Sequence, residues 1–188
     1  TAALIESYRT KIDATLKQVI GESLVFLNGE RGSIRFEETN LGNFIADIMR
    51  EYTNSSIAFI NAGAIRASLD AGPVTVEDVW DMMPFPNELV VVSLSGKEIE
   101  EVLARSVQGT RDDEDGGFLH VSGLSFKIRD KKAEQIMTMP GKIPLVASKM
   151  YTVAISDFMW QGGDGYSLLK GKQAVKTGNP LKEILIEA

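Results

Sequence analysis

Apolar positions recur along the chain at two spacings. In residues 2–20, "AALIESYRTKIDATLKQVI", Leu4, Ile5, Tyr8, Ile12, Leu16 and Val19 share one helical face, with Thr15 its one polar member. This predicts an amphipathic helix ending near Gly21, either part of the core or a connector from a domain outside this chain. "LVFL" (24–27) reads as a short strand and "NGERGS" as polar punctuation. A second helix is predicted over 41–52, capped by Thr39 or Asn40. The continuous apolar run "SIAFI" (56–60) reads as a buried strand that leads into the small-residue loop "NAGAIR".

Downstream, "VTVEDVWDMM" predicts a short strand and a helical turn, and "NELVVVSLS" (87–95) an apolar strand. "GKEIEEVLARSV" carries Ile99, Val102, Leu103 and Val107 on one helical face. "QGTRDDEDGG" (108–117), with five charges and three glycines, reads as a loop. "LSFKIRD", "AEQIMTMP" and "YTVAISD" are strand candidates, and the tail predicts a strand, a Gly-Asn-Pro turn and a terminal helix. Strands and helices do not alternate strictly, so the pattern points to an α/β chain with a mixed sheet and flanking helices.

Composition narrows the function. The 188 residues are 44% hydrophobic and 24% charged, ordinary for one globular domain with room for a sizeable core. A net charge of −6 argues against broad nucleic-acid binding, which needs a basic surface, but leaves room for a small anion gripped by a few arginines. With no cysteine and one histidine, His120, neither a thiolate metal site nor a multi-histidine zinc pattern can form within the chain. No apolar run approaches the roughly 18 residues of a spanning helix. His120, in a strand-like run, reads as structural, and Met82, Met83, Met137 and Met139 as core or edge filler.

Four stretches hold candidate chemistry. Arg31 and Arg35 lie just before a helix; they suit phosphate oxygens, although taken alone the pair fits solvated partners of Glu30, Glu37 or Glu38 better. Asn61 and Arg66 end the "NAGAIR" loop, where small residues permit close backbone approach to a ligand. Phe85 stands between Pro84 and Pro86, either a displayed ring that stacks on a base or a buried ring closing a turn. "DFMWQGGDGYSLLK" (157–170) sets Asp164 between glycines, six residues after Phe158. That carboxylate can accept sugar hydroxyls or cap its own turn, while Trp160 and Tyr166 read as packing.

Together, "ETNLGNFIADIMR", "INAGAIR", "VWDMMPFPNELVVVSLSGKEIEEVL", "GGFLHVSGLSF" and "YTVAISDFMWQGGDGYSLL" resemble, in order, the C-terminal domain of the 5'-nucleotidase and UDP-sugar hydrolase family. The resemblance implies that fold, with residues 1–21 as a connector helix and 22–188 as the nucleotide-binding domain. It implies that Phe85 and Phe158 sandwich the base, and that Asp164 takes the ribose hydroxyls. Arg31, Arg35 and Arg66 would lie near phosphate with Asn61 beside them; Asn87 and the backbone of Gly116 would complete the pocket. It also implies an N-terminal domain that binds two divalent metal ions and hydrolyses phosphate esters, and a periplasmic, cell-surface or secreted location. On that reading the chain binds nucleotide or nucleoside but has no catalytic or metal-binding residue of its own. A 2',3'-cyclic phosphodiesterase, UDP-sugar hydrolase, apyrase or thiosulfohydrolase parent, or a non-catalytic binding module, are the alternatives. Ala62, Ala64 and Pro86 stand where the family commonly has glycine.

Overall fold

The computed structural model describes residues 2–110 and 115–188. In chain order these form α1 (Ala2–Leu16), β1 (Val19–Ser23), α2 (Arg31–Ile34), α3 (Asn40–Thr53), β2 (Ile57–Asn61), β3 (Gly72–Thr75), α4 (Val76–Met82), β4 (Glu88–Ser95), α5 (Gly96–Ser106) and β5 (Leu119–Ser122). They continue with β6 (Leu124–Arg129), β7 (Lys132–Thr138), β8 (Ile143–Pro144), β9 (Met150–Ser156), α6 (Asp157–Trp160), β10 (Ala174–Pro180) and α7 (Leu181–Glu187). The centre is a five-stranded mixed sheet ordered β10-β4-β9-β2-β5, in which only β2 and β9 run parallel. No described helix is long and apolar enough to cross a membrane.

Strand alternation divides the core in two. Ala58, Ile60, Leu89 and Ala154 enter one layer, with Leu41, Ile45 and Met49 of α3 and Leu181 and Ile184 of α7. Ile57, Phe59, Val90, Val92, Val153 and Ile155 enter the other, with Ile99, Val102 and Leu103 of α5. The continuous apolar runs are thus explained: each central strand is covered on both faces. Local chemistry sets the helix starts. Thr39 Oγ1 accepts from the Gly42 amide at 3.1 Å, and Ser95 with Glu98, like Thr75 with Asp78, forms a reciprocal cap at the heads of α5 and α4. Lys172 bonds Glu98 as well, and with the Ser95 backbone and hydroxyl it draws that carboxyl down to about 2.

Two expectations from the pattern are corrected. The first helix stops at Leu16 instead of reaching residue 20, because Val19–Ser23 pairs antiparallel with Gly72–Thr75. A tertiary partner outweighs weak helical preference where Val, Ile and Gly adjoin. Tyr8 and Ile12 are exposed, so this part of the apolar face is not core. Residues 24–27 do not form a strand: Leu24 is 87% exposed, and only Leu27 makes a bridge, to Leu69. Among the described residues no neighbouring strand lies alongside to fill the remaining ladder bonds. Of the loop read over 108–117, residues 111–114 lie outside the described residues.

His120 is buried in β5, its Nε2 donating to the Ile34 carbonyl at 2.8 Å, and burial pushes its pKa below the usual 6.5. The neutral ring therefore favours the fold. Unfolded chain binds the proton first as pH falls through about 6.5, so stability drops from there and levels off below the depressed folded pKa. Urea midpoints measured at pH 7.5 and 5 should show this loss in the native chain and a flatter profile in His120→Gln; equal slopes would exclude His120 as the cause.

Candidate functional site

A cavity of about 410 Å3 lies beyond the carboxyl ends of the parallel pair β2 and β9, where α/β sheets present their loops. Arg35, Asn61, Gly63, Ala64, Arg66, Phe85, Asn87, Gly116, Phe158 and Asp164 line it. These residues come from five separate stretches of chain. The strand end at Asn61 enters a single 3-10 turn, Ala62–Ala64, and Ser156 at the end of β9 caps α6, which carries Phe158. Asp157 Oδ1 accepts from the Glu88 amide at 3.1 Å and so ties the Phe158 turn to the start of β4, beside Asn87.

Phe85 and Phe158 are 39% and 40% exposed, so both rings stand at the cavity rim, and the buried alternative for Phe85 is not realised. The Arg66 guanidinium carbon lies 5.1 Å from the Phe85 ring centroid, a contact that fixes both side chains. Arg35, at the C-terminal cap of α2, is 8% exposed. Arg31, one turn earlier, is exposed and is not among the lining residues. Ala62 is buried in the core away from the cavity, whereas Ala64 contributes to its wall. Pro86 is exposed and stays off the wall.

Asp164 is the strained centre of the site. Its φ of 50° and ψ of 31° are left-handed, a conformation costly for a residue with a Cβ and one that persists where surroundings impose it. Asn61, 2% exposed, donates its Nδ2 to Asp164 Oδ2 at 2.7 Å. Its buried Oδ1 meets no donor among the described residues. A methyl group on Gly63 would sit 3.1 Å from the same carboxylate oxygen, so a side chain there crowds the acid. The half-buried Asp164 keeps acceptor capacity on the side facing the cavity.

Behind this wall lies a group that no sequence pattern singled out. Arg105 at the end of α5 makes two bonds to Asp115, at 2.7 and 3.0 Å, and its guanidinium carbon lies 5.7 Å from the Tyr166 ring centroid. The bond to Asp115 raises the guanidinium pKa against the opposing effect of burial. Burial pushes the Tyr166 pKa up, so its hydroxyl keeps its proton and donates to the Gly117 carbonyl. An acidic residue before Gly116-Gly117 and an arginine at a helix end were the available signals. A larger cavity, about 860 Å3, opens between α3, β5 and β6. Three of its polar groups satisfy one another: Arg50 Nε donates to Ser122 Oγ at 2.7 Å, and that hydroxyl donates to Asp47.

Comparison with known proteins agrees with this architecture. Residues 19–171 match the family model described as 5'-nucleotidase, C-terminal domain. The chain is 35% identical to the Trifunctional nucleotide phosphoesterase protein YfkN of Bacillus subtilis, over 87% of this chain and 12% of that protein. It is 32% identical to Protein UshA of Escherichia coli, over 97% of this chain and 33% of the relative. The crystal structure of a 5'-nucleotidase precursor from Thermus thermophilus superposes with a TM-score of 0.87 at 35% identity, over 97% of this chain and 38% of that one. The chain thus spans a minor part of each relative, and along most of its own length it belongs to the 5'-nucleotidase C-terminal domain family.

Proposed function

We propose that this chain is the substrate-binding domain of a phosphohydrolase acting on nucleotides, and that the cavity at the ends of β2 and β9 holds the nucleoside. The carrying observation is the meeting of a strained carboxylate, Asp164, two half-exposed rings and two arginines around one cavity. A base is flat and stacks on Phe85 and Phe158 whatever its edges carry. The sugar's vicinal hydroxyls donate to Asp164, which Asn61 Nδ2 holds in place. Arg66 and the buried Arg35 balance phosphate charge; Arg31, outside the wall, acts at longer range on that anion. Asn87 and the Gly116 backbone close the sides.

Hydrolysis belongs, on this proposal, to the N-terminal part that the longer relatives have. There, two divalent metal ions would supply an activated water and charge stabilisation. The residues described here bind and orient: they hold the sugar and base still and set the phosphate, which lowers the entropy cost of in-line attack. The reading of 1–21 as a connector belongs to the same proposal. Calorimetric titration of the chain with adenosine and AMP tests the pocket. Phe158→Ala and Phe85→Ala should each weaken binding about tenfold, because stacking contributes roughly 1–3 kcal/mol per base. Unchanged affinity in both would remove the base from between these rings.

A further inference from the structure

We propose that Arg105 is a positioning residue for this pocket: its guanidinium joins the 115–117 loop to the 163–166 loop and holds Asp164 in the left-handed conformation that turns its carboxylate to the cavity. The inference rests on the nucleoside reading of the site and adds a residue that lies outside the cavity lining.

Three independent contacts meet at this one side chain. On the first loop, Arg105 forks onto both oxygens of Asp115, and Asp115 Oδ1 also accepts from the Gly117 amide at 2.9 Å. On the second loop, the guanidinium lies over Tyr166, whose hydroxyl reaches back to the Gly117 carbonyl. Between them it fills space that side chains would otherwise take. A Cβ on Gly165, where φ is +79°, would lie 2.6 Å from Arg105 Nε, and one on Gly117 would lie 2.8 Å from its Nη2. Both glycines are direct neighbours of pocket residues: Gly165 follows Asp164 and Gly117 follows Gly116.

The consequence is a closed circuit. Gly116 O accepts from the Gly63 amide at 2.8 Å, and Asn61, two residues before Gly63, bonds Asp164 at 2.7 Å. The circuit returns from Asp164 through Gly165 and Tyr166 to Arg105. A simple ion pair would explain less. The Arg105 and Asp115 side chains keep 27% and 22% of their surface, and a partly solvated pair by itself adds little stability. A planar fork that also stacks on a ring is a geometry lysine cannot reproduce.

The test is Arg105→Met, which keeps an unbranched stem and removes the fork. Amide hydrogen exchange should accelerate about tenfold at Gly63 and Tyr166, while β4 and β9 keep their protection. Affinity for adenosine should fall about tenfold, and affinity for 2',3'-dideoxyadenosine, which lacks the hydroxyls that Asp164 accepts, should stay unchanged. Arg105→Lys should recover part of the loss. If Arg105→Met does not fold, Asp115→Asn is read in the same way, since it removes the charge of the forked acceptor. Unchanged exchange at both amides, or equal weakening of the two ligands, overturns the proposal. If the native chain binds neither nucleoside, the pocket reading fails, while the exchange rates still decide whether Arg105 holds the loops.

Discussion

Asp164→Asn is expected to cut adenosine affinity about a hundredfold, the loss of two charge-assisted hydrogen bonds at roughly 1.5 kcal/mol each. The fold should scarcely register the change. Asparagine tolerates the left-handed region better than other residues with a Cβ, so the φ of 50° at this position remains accessible. Its side-chain oxygen can still accept from Asn61 Nδ2, so that buried amide keeps a partner. What disappears is the negative charge aimed at the sugar. Calorimetry with adenosine and 2',3'-dideoxyadenosine separates the two contributions: the first ligand should weaken and the second should not. An unchanged affinity for adenosine, with melting temperature also unchanged, would mean that this carboxylate does not read the sugar.

Gly42→Ala should produce a clear loss of stability, in the direction opposite to helix propensity. In an exposed helix interior, alanine in place of glycine gains about 1 kcal/mol. Here the added Cβ would lie 2.1 Å from Cγ and Nδ1 of His120, inside any permissible contact. The ring is held by its neighbours. Its Nε2 is bonded to the Ile34 carbonyl at 2.8 Å, Phe118 packs edge-on at 5.6 Å, and its strand pairs with β2. The glycine is equally fixed, since its amide caps on Thr39 Oγ1. Overpacking of this kind costs about 3 kcal/mol, which leaves a net loss of about 2 kcal/mol after the propensity gain and corresponds to a fall of roughly 4–8 °C in melting temperature for a chain of this size. Scanning calorimetry decides the sign, and a Gly42→Ala protein as stable as the native chain would refute the collision. Adding His120→Ser should recover part of the loss, though not all, because the Ile34 carbonyl then loses its donor.

Much of this protein is legible from neighbouring residues. The apolar runs at 56–60 and 87–95 predict strands that the sheet buries on both faces, and Thr39 marks the start of α3 by a bond spanning three residues. Asn61, Arg66, Phe85 and Asp164 stand out by residue type and by their glycine or proline neighbours. Caps, pleats and helical turns are bonds between residues close in sequence, so a short window contains both partners.

Other features need the assembled chain. Whether Val19–Ser23 extends a helix or forms a strand depends on Gly72–Thr75 lying beside it, and whether Leu24 is buried depends on what fails to lie beside it. Phe85 alone reads better as a buried ring closing a turn; only the cavity shows it at a rim. Arg35 and Arg31 look alike in sequence, and the short helix α2 sends one to the wall and leaves the other outside. Arg105, Asp115 and Tyr166 carry no shared motif, since the bracket they form closes across 61 residues of chain. Sequence by itself thus determined most of the elements, the buried strands at the centre of the sheet and the residue types of the candidate site. Tertiary structure decided which of those residues meet, because pairings across tens of residues depend on strand order and packing that no local window contains.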